Sequence, residues 1–154
     1  MKIFLIKAKT KFNRKERNKA VNVLCCHLKE LSKNFQKICI LYPAQLIDFC
    51  RDVEKNIIKL IATEKRKEKQ SEKFYFSQMV GCFVPCPDGY DAYVYVGEGF
   101  FHPLSIAKLQ IEKELSKNFE FEELKSKIKP IYVFDPFLKK FFMLDDKEIE
   151  NLIN

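Results

Sequence analysis

The chain has 154 residues, a formal net charge of +7 and 47% apolar residues, fifteen of them Phe. That length suits one domain with a sizeable core, and no apolar run reaches the roughly 18 residues that a membrane-spanning helix needs. Met1 to Thr10 mixes Lys with apolar residues and lacks the apolar stretch and small-residue cleavage site of a secretory leader. A cytoplasmic location is expected.

Lys2 to Ala8 reads as a short first strand. Asn13 to Lys33 carries apolar residues at Ala20, Val21, Val23, Leu24, Leu28 and Leu31, the period of a helix. Lys37 to Tyr42 is a continuous apolar run of the kind found in buried parallel strands. Pro43 is expected to open a helix, a position that needs no N–H donor. That helix should run to about Thr63 and bury Leu46, Ile47, Phe49, Cys50, Val53, Ile57, Ile58 and Leu60. Glu64 to Lys73 is highly charged and reads as an exposed helix end and loop. Phe74 to Val80 is the next strand, followed by a loop from Gly81 to Tyr90 with Pro85, Pro87 and Gly89.

Asp91 to Val96 is a strand that ends in the turn Gly97-Glu98-Gly99. Ser105 to Glu114 and Ser116 to Lys129 are helical stretches. Ile131 to Phe134 is a further strand ending at Asp135-Pro136. Phe137 to Leu144 is a short extended run, and Asp145 to Ile153 is a helix capped by Asp145 or Asp146. Alternating strands and helices imply right-handed βαβ units. The expected fold is α/β: one three-layer domain over residues 1–154, with a mostly parallel sheet of about four to five strands and helices on both faces.

The positive charge falls in two clusters, one from Lys7, Lys9, Lys11, Arg14, Lys15, Arg17 and Lys19, the other from Lys65, Arg66, Lys67 and Lys69. Such faces attract nucleic acid or acidic partners, but they are as often a solvated surface. The solvated reading is favoured. Six cysteines without a leader argue against a disulfide framework. No pair has CxxC spacing, which argues against a self-contained zinc site. Cys39 reads as a core residue, and Cys25, Cys26 and Cys50 as buried or partly buried helix residues. His27 reads as structural.

In an open α/β sheet, ligands bind beyond the carboxyl ends of the strands. Those ends here are Tyr42-Pro43-Ala44-Gln45, Gly81-Cys82, Gly97-Glu98-Gly99 running into Phe100-Phe101-His102-Pro103, and Asp135-Pro136. All four glycines lie between positions 81 and 99. Cys82 is a plausible thiolate ligand, but iron–sulfur clusters take several cysteines. Either Cys86 helps, or other chains supply the remaining ligands, or Cys82 is structural. His102 is a cap, a core residue or a site residue. Asp135 is a turn residue or an acceptor for a bound amine or hydroxyl.

Several of these segments, in order, resemble the middle domain of the diphthamide synthase family, the 2-(3-amino-3-carboxypropyl)histidine synthases. Gln78-Met79-Val80-Gly81-Cys82 is similar to that family's GQVLGC motif. The stretch from Asp91 to Leu104 resembles its strand, G-x-G turn and FHPL helix start. Pro130 to Phe137 resembles its following strand and Asp-Pro turn, and Ile38 to Gln45 its strand ending in a TTAQH-like motif. Ile3-Phe4 is similar to the strand leading out of the family's first domain.

The resemblance implies a 4Fe–4S cluster and S-adenosylmethionine as cofactors, and transfer of the 3-amino-3-carboxypropyl group to a histidine of elongation factor 2. In the family, each of three similar domains supplies one cluster cysteine. Cys82 matches the middle one. Gln45, Gln78, Gly81, Gly97, Gly99, His102 and Asp135 are implied cofactor-binding positions, and no catalytic residue is assigned. The departures are the absence of the first and third domains, YPAQL in place of the TTAQH-like motif, Glu98 within the G-x-G turn, and an apparent insertion at Lys108 to Lys129. Two readings follow: one part of a split enzyme, completed by chains carrying the missing domains, or a non-catalytic paralogue that retains the fold and binds or regulates. A basic nucleic-acid-binding module is a third, weaker alternative, and no membrane partner is expected.

Overall fold

The computed structural model of the chain describes residues 12–62, 72–117 and 121–153. The strand expected at Lys2 to Ala8, with Ile3-Phe4, lies outside the described residues, as do Lys7, Lys9, Lys11 and the cluster Lys65, Arg66, Lys67 and Lys69.

Helix α1 (Arg14–Asn34) begins where the Asn13 side chain accepts a hydrogen bond from the Lys15 N–H at 2.9 Å, satisfying a first-turn donor that the helix leaves unpaired. Strand β1 (Ile38–Pro43) leads through a 3-10 turn, Ala44–Leu46, into α2 (Ile47–Ala62). Pro43 therefore closes a strand rather than opening a helix: its φ of −74° would suit either, but its ψ of 157° keeps it extended. Strands β2 (Phe74–Met79) and β3 (Ala92–Val96) follow. Then come α3 (Phe101–Leu115), α4 (Phe121–Lys127), β4 (Ile131–Asp135), β5 (Lys140–Met143) and α5 (Asp146–Ile153). Helix α3 starts four residues ahead of the expected Ser105. Pro103 sits in its first turn, where no N–H is required. Within the second helical stretch, 116–117 form a turn, and Phe121–Lys127 is the helix among the described residues.

The sheet has the order β2-β1-β3-β4-β5 among the described residues. The first four strands are parallel, and β5 pairs antiparallel with β4. Side chains alternate across it with the period of two that a strand dictates. Ile38, Ile40, Tyr42, Val94, Val96 and Phe134 pack beneath α1 and α2. Cys39, Leu41, Tyr93, Tyr95, Ile131 and Val133 pack with Ile106 and Ala107 of α3 on the opposite face. The result is the expected α/β arrangement, with helices on both sides of a mostly parallel sheet.

On α2 the buried stripe is Phe49, Cys50, Val53, Ile57 and Ile61, with Leu46 buried in the turn before it. Ile58 and Leu60 were expected inside and are exposed. At 100° per residue, Val53, Ile57 and Ile61 stack at intervals of four, while Ile58 and Leu60 swing off that line. Cys26 departs in the same way: Cys25 is buried, and its neighbour one residue on is exposed. His27 stacks on Phe141 at 4.3 Å between ring centres, a packing role.

Candidate functional site at the carboxyl edge of the sheet

The strand order reverses direction between β1 and β3, so the crevice beyond their carboxyl ends is where an open α/β sheet accepts ligands. Parallel pairing brings four strand ends to this one edge. Pro43 of β1 lies beside Met79 of β2, and the Gly97 N–H donates to the Phe134 carbonyl at 2.9 Å, tying the end of β3 to that of β4.

Directly after β2 the chain reverses over Val80-Gly81-Cys82-Phe83. The Phe83 N–H donates to the Val80 carbonyl at 3.1 Å, and the two residues form an antiparallel bridge. Gly81 has φ +59°, a left-handed value that only a residue without Cβ adopts freely. The turn thus favours glycine at this place and leaves the Cys82 thiol exposed at its tip. Cys86 is different. It is half-buried against the α3-side core, and burial raises its thiol pKa above the ordinary value. No group of three or more His, Cys, Asp or Glu able to hold a metal exists among the described residues. Among the described residues Cys82 is an exposed thiol that stands apart from any such group.

The turn after β3 has a more rigid basis. Tyr95 is 2% exposed, and its hydroxyl lies 3.2 Å from Nδ1 of His102. The two rings are 5.4 Å apart, and Phe101 meets the imidazole edge-on at 5.2 Å. Burial, with the Glu98 carboxylate as a lesser cause, pushes the Tyr95 phenol up to about 12. Gly97 and Gly99 flank Glu98, and Gly99 adopts φ +73°. His102 is thus neither a cap nor a core residue; it is a half-buried first-turn residue of α3 with one nitrogen engaged.

At the end of β4, Asp135 Oδ1 accepts from the N–H groups of Phe137 and Leu138, both at 2.9 Å. These two bonds hold the turn that follows β4. Gln45, in the 3-10 turn, and Gln78, at the end of β2, are both exposed at this edge. The edge is also apolar: Val80 and Phe83 flank Cys82 at 68% and 71% exposure, and Phe100, Phe101, Phe137 and Leu138 are exposed on the neighbouring loops.

Tyr95 was missed in the sequence, where it read only as part of a strand. Its signal was the glycine two positions later, on the same face of the extended chain. A cavity of about 590 Å³ lies elsewhere, between the 83–90 loop and the second half of α3. Two members of the first basic cluster, Arg17 and Lys19, form ion pairs. Arg17 bridges Asp52 at 2.5 Å and donates to the Asp48 carbonyl, while Glu16 takes Lys19 and Lys139.

No protein-family model matches the sequence, and neither does any curated protein. Two crystal structures of Dph2 from Pyrococcus horikoshii, one of them with a 4Fe-4S cluster, share the fold. Each is 20% identical, with a TM-score of 0.51, over 83% of this chain and 33% of theirs. The chain thus spans about a third of the length of the proteins it matches. At this identity the likeness establishes the fold.

Proposed function

We propose that this chain is one domain-sized part of a diphthamide-type 3-amino-3-carboxypropyl transferase. Cys82 supplies one thiolate of a 4Fe–4S cluster, and chains carrying two further cysteines complete it. The observation that carries this reading is the exposed Cys82 thiol, held at the tip of the Gly81-Cys82 turn on the carboxyl edge of the sheet. The overall backbone likeness to Dph2 and the in-order motifs around positions 45, 82, 97–104 and 135 support it. The chain's match to a third of Dph2 agrees with a three-domain assembly in which each domain gives one cysteine.

When bound, the cluster would leave one iron open for S-adenosylmethionine and supply the electron for cleavage of its Cγ–S bond. The chain's own residues hold the cofactor side of the cleft. Gln45 and Gln78 offer exposed amides, the Gly97–Gly99 turn lets backbone approach closely, and His102 faces the same edge from α3. The exposed apolar residues around Cys82 would be covered by the partner domains and exclude water from the cluster. Elongation factor 2 is the proposed acceptor substrate, modified on a histidine.

One observation favours a second reading, a non-catalytic paralogue. The position matching the histidine of the TTAQH-like motif is Leu46, which is 4% exposed and packed in the core. It cannot present a polar group to the cleft.

The two readings separate on activity. The chain, assembled anaerobically with the partner chains that carry the missing cysteines, is given S-adenosylmethionine labelled in its aminocarboxypropyl carbons and elongation factor 2. Label on the elongation factor supports the enzyme reading. A cluster-loaded assembly that transfers none supports the paralogue.

A further inference from the structure

The contact between Tyr95 and His102 has only one arrangement of protons that leaves no buried donor unpaired. Tyr95 Oη and His102 Nδ1 are 3.2 Å apart. If the imidazole nitrogen carried the proton and donated it, the phenol would need another acceptor for its own. The described residues offer it none, and a buried hydroxyl without a partner is costly. Glu98 lies close enough to disfavour the phenolate but does not bond the hydroxyl. If the phenol donates, Nδ1 accepts and the ring proton sits on Nε2.

The packing around the pair keeps it in register. Tyr95 is held in the core on the α3 side of β3, its phenol filling the space that a Cβ at Gly97 would take, and the His102 ring is wedged between Tyr95 and Phe101. We infer that Tyr95 is a positioning residue that fixes His102 as the Nε2–H tautomer, so that the first turn of α3 presents a hydrogen-bond donor to an acceptor group bound at the β3 edge. Helix α3 is fifteen residues long, and although Pro103 has no N–H and the Leu104 N–H bonds the Phe100 carbonyl, the N–H groups of Phe101 and His102 lie at its positive end, which favours the same kind of ligand, an anion. Within the proposed function, on which this last step rests, the acceptor is the carboxylate of the aminocarboxypropyl group.

The tautomer is measured on the full chain without cluster or cofactor. The chain has two histidines, so two-bond proton–nitrogen spectra of the ¹⁵N-labelled protein, at a pH above the imidazole titration, give two ring patterns, and His102→Gln identifies which is which. Wild-type His102 is expected in the Nε2–H form, and Tyr95→Phe in a mixture, with the His27 pattern unchanged. An Nδ1–H form in the wild type would overturn the inference whatever the variant does. So would the same tautomer in both proteins.

The ligand assignment is read separately in the reconstituted assembly, where Tyr95→Phe should raise the KM for S-adenosylmethionine by more than it lowers kcat. An unchanged KM overturns the carboxylate assignment. A failure to assemble any cluster speaks against the proposed function and leaves the tautomer result standing.

Discussion

The phenol of Tyr95 occupies the space that a side chain at Gly97 would need: a Cβ built on Gly97 would lie 2.6 Å from Tyr95 Cζ. The ring is buried and cannot swing clear. Gly97→Ala should therefore displace it, break the contact with His102 and cost about 1–3 kcal/mol, the range for overpacking a core. Urea unfolding of the variant gives the energy, and the His102 ring spectrum reports the lost contact. Gly97→Ala with wild-type stability would show that the β3 turn adapts more freely than its packing implies.

Thiol reactivity should divide the six cysteines by position. Cys26 and Cys82 are exposed. Cys25 and Cys39 are pushed up to about 12 by burial, and Cys50 is raised well above its ordinary value for the same reason. Brief alkylation of the native chain near neutral pH should label two sites rapidly and Cys86 slowly, since the thiolate is the reactive form. Peptide mass spectrometry locates the labels. Rapid labelling of Cys39 would mean that β1 is not a buried interior strand.

Stability should fall in alkaline solution. Tyr95, Cys25 and Cys39 hold their protons to about 12 when folded, chiefly because burial penalises the charged forms. The unfolded chain releases them near the ordinary values of 10.0 for the phenol and 9.0 for the thiols. Above those values the unfolded chain binds fewer protons, so stability is intact below pH 9 and declines as pH rises toward 12. Urea midpoints measured across that window test the sign: a midpoint that holds or rises contradicts the burial of these groups.

Asp135 organises the link between β4 and β5. Its Oδ1 holds the Phe137 and Leu138 N–H groups, and Phe137 stacks on Phe12 at 4.6 Å. Asp135→Ala should lower stability by about 1 kcal/mol for each bond lost, while Asp135→Asn, which keeps an acceptor oxygen, should lose less. Thermal unfolding of the pair distinguishes a turn residue from one whose charge alone matters.

Long periodic segments were legible in the sequence. The apolar run of β1 and the stripe of α1 predict their elements to within a residue or two, because burial of a whole face leaves a repeated mark. The start of α3 was marked only by the FHPL resemblance; the residue pattern alone put it at Ser105, because Phe101, His102 and Pro103 carry no capping residue and a proline in a first turn looks like a helix breaker until the missing donors of that turn are considered. Burial at single positions was also hidden where adjacent apolar residues compete, as with Ile57 against Ile58 and Cys25 against Cys26, because one step along a helix turns a side chain by 100°. Cys82 stood out by its glycine neighbour and its motif. Tyr95 did not, because an aromatic residue in a buried strand is ordinary, and only the hydroxyl's position relative to His102 distinguishes it.

The central claim is that Cys82 is one cluster ligand among several supplied from different domains. Its most direct test is anaerobic reconstitution with iron and sulfide, followed by iron and sulfide analysis, on the lone chain, on the assembly with its partner chains, and on the same assembly carrying Cys82→Ala or Cys86→Ala. The account predicts no stable cluster on the lone chain, a 4Fe–4S cluster in the assembly, its loss with Cys82→Ala and its retention with Cys86→Ala. A full cluster on the lone chain, or one that survives Cys82→Ala and is lost with Cys86→Ala, would contradict it.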